Sequence, residues 1–530
     1  MNIMSNLVAH KVELRHLIIS IFALLALGLS LFHLLSDRAG ISIRHTEVGD
    51  SPVTVYQPRN MAETAPTVLI AHGFAGSQQM MEGFALTMAH NGYTAVTFDY
   101  LGHGRHPEPL YGELAEWDGA AKVLMGQTRQ IMDFALDLPN SDGRLAVLGH
   151  SLGSGLMARF AQLNEEVDAT VGISLFAPKT DKKTPRNLLS VVGGWETRLK
   201  REGRRLVAMV SDEHEPEDIK PGQTYGSIAE GTGRRIEVVS GIEHVGILFS
   251  SRSADKARLW LDEVFDREGS GYTVSSGGWL ALLFATLLLL AYRLAAILPV
   301  VSTPSRGASA AWKKLFTVAG IPAVATPLLL ALLPTEFLPV VVGDYLAVHF
   351  AVYGLLMLVG LWWYAGRPTP REWVTAIGAE PKRLIAATVL LLFFCLGVIG
   401  WALEEFIASF YPVSERLPLL AAMLLGTLPF FIADEWLTRG ANPRRGAYPV
   451  TKILFLISLG LAVALDYEGL SFLPMILPVW IIFFILYGLF SRWSFRRTGN
   501  PLVAGIVNAV AFAWALAVTF PMYSGVNPPA

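Results

Sequence analysis

The hydrophobic residues of this chain are concentrated in two regions. A region in which apolar and polar residues are mixed separates them. An apolar run covers 17–35, and further runs follow at 277–299, 315–333, 345–364, 384–402, 418–434, 452–466, 472–490 and 501–520. A helix needs about 20 apolar residues to cross a bilayer. The pattern predicts a membrane anchor in 1–36, a water-exposed domain in 41–268 and a multi-pass domain of about eight helices in 277–530. No small-residue cleavage site follows the first run, which favours an uncleaved anchor over a signal peptide.

Short apolar runs alternate with polar segments in the region between. Residues 41–57 predict a hairpin with a polar turn at 48–52. Buried strands are predicted at 67–71, 94–98, 145–148, 172–176, 187–192 and 235–239. Residues 254–265 predict a closing helix, and the charge-rich segment 197–233 predicts a solvated loop.

The strand predicted at 145–148 leads into Gly149-His150-Ser151-Leu152-Gly153, and an amphipathic helical pattern follows. A G-x-S-x-G sequence between a strand and a helix is typical of a sharp turn that exposes a nucleophilic serine. Gly149 and Gly153 are expected to be small because strand and helix pass close to the turn. The side chain of His150 is expected to point away from Ser151. A chance match to so short a pattern is the alternative, and the flanking elements count against it.

A serine nucleophile needs partners, and three segments offer them. Attack on a carbonyl creates an oxyanion, which two backbone N–H groups can hold. The first would be that of Leu152, and the second that of Phe74 in the loop after strand 67–71. Glu196 and His244 each follow a predicted strand, so the order along the chain is serine, acid, histidine.

Four motifs together resemble one family, the α/β-hydrolases of the serine esterase, lipase and lysophospholipase type. They are HGFAGS at 72–77, FDYLGHGRH at 98–106, GHSLG at 149–153 and GIEHVGIL at 241–248. The resemblance covers 41–265 and implies a mostly parallel sheet flanked by helices, here joined to an all-α polytopic membrane domain. It implies Ser151 as nucleophile, His244 as base and no metal or organic cofactor. The acid maps onto Glu196, where the family more often has Asp, and Asp181 is the alternative because some lipases take their acid one strand earlier.

Composition supports membrane attachment and narrows the chemistry. The hydrophobic fraction is 52% and the mean hydropathy +0.43, values too high for a soluble enzyme of this length. The formal net charge of −2 does not suggest a nucleic-acid partner. Cys395 is the single cysteine, so neither a disulfide within the chain nor a cysteine-based metal site is possible.

Several other polar residues have both a functional and a structural interpretation. His103 and His106 could be ligands or bases, but loop or pocket-wall roles are favoured because no metal pattern completes them. For the segment 212–216, Asp-Glu-His-Glu-Pro, a solvated loop is favoured over a metal site for the same reason. The acidic pairs 404–405 and 434–435 lie near predicted span ends and are placed at the membrane interface. A membrane-embedded metalloprotease would need nearby histidines, and only His349 is close.

The basic residues of the short loops predict the orientation of the chain. One alternating set of loops holds fourteen: Arg306, Lys313, Lys314, Arg367, Arg371, Lys382, Arg383, Arg439, Arg444, Arg445, Lys452, Arg492, Arg496 and Arg497. The other set holds only Arg416. Because basic loops stay cytoplasmic, the N-terminus is predicted inside the cell and 41–268 on the periplasmic or external face of the inner membrane.

The expected function is that of a membrane-bound serine hydrolase that cleaves carboxylic esters, with lipid and lysophospholipid esters among the candidates, through an acyl-enzyme. The expected partners are a small-molecule or lipid ester and the bilayer. The alternative is an acyltransferase or transporter in which the membrane half is the main functional unit.

Overall fold

The computed structural model describes residues 2–61, 63–114, 116–211, 214–378 and 380–527. The chain divides into two compact units. The helical unit comprises Met1–Leu25, Ala285–Ala402 and Phe410–Phe520, and the sheet unit comprises Ala26–Phe284, Leu403–Ser409 and Pro521–Ala530. The domain limits predicted from hydropathy, 1–36, 41–268 and 277–530, remain predictions.

A nine-stranded sheet lies at the centre of the sheet unit. Its strands are β1 (Ile41–Val48), β2 (Ser51–Pro58), β3 (Ala65–Ala71), β4 (Thr94–Phe98), β5 (Ser141–His150), β6 (Val167–Ile173), β7 (Leu188–Gly193), β8 (Thr224–Tyr225) and β9 (Arg234–Val239). They are arranged in the order β1-β2-β4-β3-β5-β6-β7-β9-β8. Strands β3 to β7 and β9 are parallel, whereas β1, β2 and β8 pair antiparallel. The predicted hairpin is confirmed as β1 and β2.

Helices cover both faces of this sheet because its central strands are apolar on both sides. On β3, Val68 and Ile70 face one core, and Leu69 and Ala71 face the other. The covering helices are α2 (Glu82–His90), α3 (Ala120–Leu136), α4 (Leu152–Leu163), α5 (Thr197–Ala208) and α6 (Ser251–Val264), and α1 (Asn2–Ser36) precedes the sheet in the chain. Helices α2 and α6 pack on the first face, and α3 and α4 on the second. The predicted class, a mostly parallel sheet flanked by helices, is confirmed.

Two predicted segments of the sheet unit differ from the structure. Residues 197–208 form helix α5 rather than a solvated loop, because Leu199, Gly203 and Leu206 recur at helical spacing on one face. The strand predicted at 172–176 is β6, which ends at Ile173 because Ser174 takes a left-handed conformation with φ 54°. The segment 212–216 cannot be judged as a metal site, since Asp212 and Glu213 lie outside the described residues.

Beyond α6 the chain continues as helices. They are α7 (Gly277–Ile297), α8 (Trp312–Leu315), α9 (Ile321–Leu330), α10 (Gly343–Tyr364), α11 (Pro370–Ile377), α12 (Pro381–Leu392), α13 (Gly400–Phe406), α14 (Leu417–Thr438), α15 (Ala447–Leu465), α16 (Tyr467–Leu470), α17 (Leu473–Thr498) and α18 (Pro501–Thr519). Helices α8 and α9, and likewise α12 and α13, are joined by a π-helical turn, at Phe316–Gly320 and Phe393–Ile399.

Nine helical stretches of the described residues are long and apolar enough to cross a membrane. They are Ile18–Ser36, Gly277–Ile297, Trp312–Leu330, Gly343–Tyr364, Pro381–Phe406, Ser414–Thr438, Ala447–Leu465, Ile476–Thr498 and Pro501–Thr519. Each coincides with one of the nine predicted runs, and the short run at 452–466 is extended by α15, which begins at Ala447. Cys395 lies in the stretch Pro381–Phe406 and is half-buried.

The acidic pair 404–405 belongs to the sheet unit, where both carboxylates bind arginines. Glu404 accepts a hydrogen bond of 2.5 Å from Arg105, and Glu405 forms an ion pair with Arg38. Both acids therefore have specific partners within this unit, and their placement at the membrane interface remains a prediction. Among the described residues, no group of three or more His, Cys, Asp or Glu side chains is arranged to hold a metal ion.

The second acidic pair is buried inside the helical unit. Asp434 forms an ion pair with Lys452, and Glu435 with Arg439 at 3.0 Å. Both carboxylates are fully buried, so neither has the solvent contact expected of an interfacial position. Each acid is neutralised by a cation close by in the same unit, as the high cost of burying a charge requires.

Candidate active site

The turn between β5 and α4 holds Ser151 in a strained conformation. Its φ of 52° and ψ of −119° are unusual for a residue with a side chain. A Cβ on Gly149 would lie 2.3 Å from the carbonyl oxygen of Gly153, and one on Gly153 would lie 2.3 Å from that of His72. Only glycine fits at either place, which is the physical reason for the spacing of the motif.

Three side chains from separate strand ends form one chain of hydrogen bonds. The hydroxyl of Ser151 lies 2.9 Å from Nε2 of His244, and Nδ1 of His244 lies 2.5 Å from Oε1 of Glu196. Ser151 follows β5, Glu196 follows β7 and His244 follows β9. Because these strands are parallel, their carboxyl ends share one edge of the sheet, where such folds place their sites.

The Glu196 carboxylate is held by more than the histidine. Its Oε2 accepts hydrogen bonds from the Gly193 N–H at 2.6 Å and from the Ser174 hydroxyl at 2.8 Å. The side chain is only 7% exposed. Burial acts to raise the pKa of Glu196, but the hydrogen bonds from His244, Gly193 and Ser174 outweigh it and hold this pKa below its ordinary value. The carboxylate is therefore ionised and fixed in orientation.

Asp181, the alternative acid, has a different role. Its carboxylate accepts hydrogen bonds from the backbone N–H groups of Lys183 and Thr184 and from the Thr184 hydroxyl, each at 2.8 Å. These bonds lower the pKa of Asp181, although its slight burial acts in the opposite direction. The residue is exposed and closes its own turn, whereas Glu196 is in contact with His244.

Leu152 and Phe74 are the two residues whose backbone N–H groups are predicted to hold an oxyanion. Leu152 begins α4, whose N-terminal N–H groups favour negative charge. Gly73 lies so close to the turn that a Cβ on it would be 3.1 Å from Cβ of Ser151. The peptide between Gly73 and Phe74 is thus adjacent to Ser151, and the role of the Phe74 N–H in holding an oxyanion remains a prediction.

The buried His72 fixes the orientation of that peptide. Its Nδ1 donates to the Gly73 carbonyl at 2.7 Å, and its Nε2 accepts from the Tyr100 N–H at 3.1 Å. Burial lowers the pKa of His72, which keeps the ring neutral and in this tautomer. Since C=O and N–H of one peptide point in opposite directions, holding the Gly73 carbonyl also sets the direction of the Phe74 N–H.

The remaining histidines near the site have structural contacts. His150 is buried, and its Nε2 donates to the backbone carbonyl of His244 at 2.9 Å. Its ring lies 5.0 Å from the His244 ring, so the two imidazole rings are neighbours. That it points away from Ser151 remains a prediction. His103 and His106 are both buried, and the ring of His103 lies 5.8 Å from that of Phe74.

Sequence reasoning did not find Ser174 or the orienting role of His72. Ser174 has no motif of its own, and its contact with Glu196 depends on a left-handed φ directly after β6. His72 did have a signal, because it begins the first motif, but its hydrogen bonds could not be read from the pattern. Both residues act by orienting a neighbour.

Exposed apolar side chains flank the site. Leu152, Trp195 and Val245 directly adjoin Ser151, Glu196 and His244 in sequence, and Phe176 lies two residues beyond Ser174. All four are exposed, Trp195 to 69%. Together, Leu152, Phe176, Trp195 and Val245 are called the apolar rim.

Comparison with known proteins agrees with this architecture. Residues 62–219 match the model of the family described as serine aminopeptidase, S33. The sheet unit has the α/β-hydrolase fold. The matched segment includes Phe74, Ser151 and Glu196 and ends before His244. No curated protein matches the chain.

Solved structures that match part of this chain include three that are described as a lipase or a phospholipase. A soluble variant of monoglyceride lipase from Saccharomyces cerevisiae is 12% identical, with a TM-score of 0.31, over 43% of this chain and 96% of that one. A putative lipase from Acinetobacter baumannii AYE is 14% identical, with a TM-score of 0.31, over 45% and 97%. A membrane phospholipase A described as a bacterial virulence factor is 15% identical, with a TM-score of 0.28, over 49% and 99%.

Proposed function

We propose that this protein is a membrane-bound serine hydrolase that cleaves carboxylic esters through an acyl-enzyme intermediate. The observation that carries the proposal is the chain of hydrogen bonds from Ser151 through His244 to Glu196. A nucleophile, a base in contact with it and an acid that orients the base are the parts required for nucleophilic acyl transfer.

In the proposed mechanism the Ser151 oxygen attacks the ester carbonyl carbon. His244 Nε2 takes the hydroxyl proton as the new carbon–oxygen bond forms. The N–H groups of Phe74 and Leu152 hold the negative charge that develops on the carbonyl oxygen. Glu196 keeps the proton of His244 on Nδ1 and stabilises the imidazolium.

The intermediate then collapses and the cycle closes with water. His244 gives its proton to the leaving alcohol oxygen as the ester bond breaks, which leaves the acyl group on Ser151. A water molecule is deprotonated by His244 and attacks the acyl carbon. Release of the carboxylic acid returns the proton to Ser151, so that no group beyond these side chains is needed for the proton balance.

The apolar rim supports esters with an apolar acyl group, including lipid and lysophospholipid esters, as substrates. Its four side chains are exposed, and three of them adjoin Ser151, Glu196 and His244 in sequence, so that a bound acyl chain can cover them. Between β6 and β7 the chain forms no helix that could cover them instead. Removal of apolar surface from water would favour binding of the acyl chain.

Two segments of the sheet unit support the proposed topology. Nine crossings from a cytoplasmic N-terminus put 407–413 and the C-terminal end on the same side as 41–268. Both Leu403–Ser409 and Pro521–Ala530 are part of the sheet unit. In this unit Ser409 N–H donates to the Ser77 hydroxyl, and Met522 N–H to the Gly102 carbonyl. Four candidate spans separate 41–268 from 407–413 and eight separate it from the C-terminal end, and an even number of crossings returns the chain to the same side. The basic loops direct that side outward.

Replacement of the nucleophile tests the proposed activity. Ser151→Ala in the full chain should abolish labelling by a fluorophosphonate probe and lower p-nitrophenyl ester hydrolysis by several orders of magnitude. The matched control is Ser42→Ala on β1, which should leave both signals unchanged. Labelling or turnover of the Ser151→Ala protein at the wild-type level would refute the proposal. Product that appears only with an added alcohol acceptor would instead favour the acyltransferase alternative.

Cysteine accessibility tests the proposed orientation. In a Cys395→Ser background, Lys183→Cys should react with a membrane-impermeant maleimide on intact cells. Arg371→Cys should react only after the membrane is opened. Both positions are exposed in their own units, so burial does not limit either reaction. The reverse pattern would put the hydrolase domain in the cytoplasm.

A further inference from the structure

A large cavity lies in the helical unit, away from the proposed catalytic residues. It has a volume of about 1160 Å³ and is bounded by α15, α17 and the segment that joins α14 to α15. All of its lining residues fall in Ser305–Arg496, so the cavity belongs to this unit alone. A cavity of this size is large enough for a ligand of more than a few atoms.

One end of the cavity is strongly basic. Its lining includes Arg439, Arg444, Arg445, Lys452, Arg492 and Arg496, and none of the described lining residues is acidic. Arg439 and Lys452 are neutralised by buried carboxylates of α14. The other four form no ion pair within the described part of the chain, which sets them apart from Arg383, paired with Glu380 at 2.8 Å.

The rest of the cavity is apolar and runs along two helices that are long enough to span a membrane. Its lining includes Ile453 and Leu456 of α15 and Ile481 and Ile485 of α17. Ile453 is 56% exposed and Ile485 58% exposed. Exposed apolar side chains of this kind favour contact with the apolar part of a ligand over contact with water.

We propose that this cavity binds an anionic phospholipid. The phosphate lies among Arg444, Arg445, Arg492 and Arg496, whose guanidinium groups suit the bidentate recognition of phosphate oxygens. The acyl chains lie along the isoleucines of α15 and α17. Basic pockets between membrane helices are a known form of lipid headgroup site. The proposal is independent of ester hydrolysis, and it gives the helical unit a ligand of its own.

Lipid retention by the purified full chain tests this site. The protein is supplied in detergent with phosphatidylglycerol or phosphatidylcholine, and bound lipid is counted by native mass spectrometry. Wild-type protein should retain phosphatidylglycerol in preference. Arg444→Gln/Arg445→Gln should weaken that retention about tenfold or more, because each arginine contributes separately to the attraction for the anionic headgroup. The control Arg371→Gln/Lys382→Gln removes the same charge from exposed positions outside the cavity and should retain the lipid.

Three results would overturn the proposal. Equal losses in the two double variants would mean that general surface charge attracts the lipid. Equal retention of phosphatidylcholine would remove the need for an anionic headgroup. Displacement of phosphatidylglycerol by inorganic phosphate at an equal phosphate concentration would identify a site for a soluble anion. Gel filtration and circular dichroism of each variant separate loss of lipid from loss of fold.

Discussion

The change Glu196→Gln separates orientation of the base from every other feature of the site. In the wild type Oε2 accepts from the Gly193 N–H and the Ser174 hydroxyl, and Oε1 faces Nδ1 of His244. A glutamine has one carbonyl oxygen, and these two donors require it at the Oε2 position. Its NH2 group then faces Nδ1 of His244. Two hydrogen-bond donors cannot pair, so Nδ1 must lose its proton and accept from the NH2 group. The proton moves to Nε2, and His244 can no longer take the one on Ser151.

The size of the effect follows from that tautomer change. A base held in the wrong tautomer lowers kcat by about 10⁴ in a well-studied serine protease. The same factor here corresponds to a barrier higher by about 5 kcal/mol. KM should change little, because the Glu196 side chain is only 7% exposed and cannot form part of a substrate surface. Steady-state hydrolysis of a p-nitrophenyl ester by the full chain gives both constants.

Asp181→Asn provides the matched control. Its carboxylate closes an exposed turn, so the amide should alter local stability slightly and leave kcat within about twofold of wild type. If Glu196→Gln retained a tenth or more of the wild-type kcat, the orienting role of the carboxylate would be disproved. A large loss in Asp181→Asn alone would identify that residue as the acid and make the contact between Glu196 and His244 incidental.

Three further predictions concern two histidines near the site and one ion pair of the sheet unit. His72→Ala should lower kcat by about 10- to 100-fold with little change in KM, because the Phe74 N–H loses its fixed direction; His72→Asn, which can keep the donor, should recover part of the loss. Burial lowers the pKa of His150 to about 4 from the ordinary 6.5. Between these two values only the unfolded state binds the proton, so the free energy of unfolding should be constant above pH 6.5 and fall by up to about 3 kcal/mol as the pH drops toward 4. Thermal melts of His150→Gln should show a shallower pH dependence than those of the wild type. A double-mutant cycle on Arg38→Met and Glu405→Gln should give a coupling energy on the order of 1–2 kcal/mol, and additive melting shifts would deny the ion pair any stabilising role.

Much of the fold could be predicted because the signals were local. Buried strands such as β3 and β5 are short apolar runs, and the membrane-length helices follow directly from hydropathy. Helix α5 was missed because its charges dominate the composition, although Leu199, Gly203 and Leu206 carry the helical spacing. The end of β6 could not be predicted, because it depends on the backbone conformation of the single residue Ser174.

The candidate site shows where prediction from sequence stopped. The order of serine, acid and histidine, each after a strand, was visible in the chain. The choice between Asp181 and Glu196 was not, because both carboxylates follow a strand. The sheet order separates them, since β7 pairs with β9 and β6 does not. Glu196 therefore follows a strand next to the one that His244 follows, and strand order is a long-range property that local patterns do not contain.

The acidic pair 404–405 makes the same point for electrostatics. Two carboxylates at the end of an apolar run are chemically the same whether they meet headgroups, a metal or an arginine. Glu405 meets Arg38, 367 residues earlier in the chain, and Glu404 meets Arg105, 299 residues earlier. Arg38 also binds Glu82 at 2.7 Å, so two carboxylates surround one guanidinium. Burial acts to lower the pKa of Arg38, yet the two carboxylates outweigh it and raise this pKa, which keeps the charge in place. A residue's own segment shows that a charge needs a partner, and only the folded chain shows which partner it has.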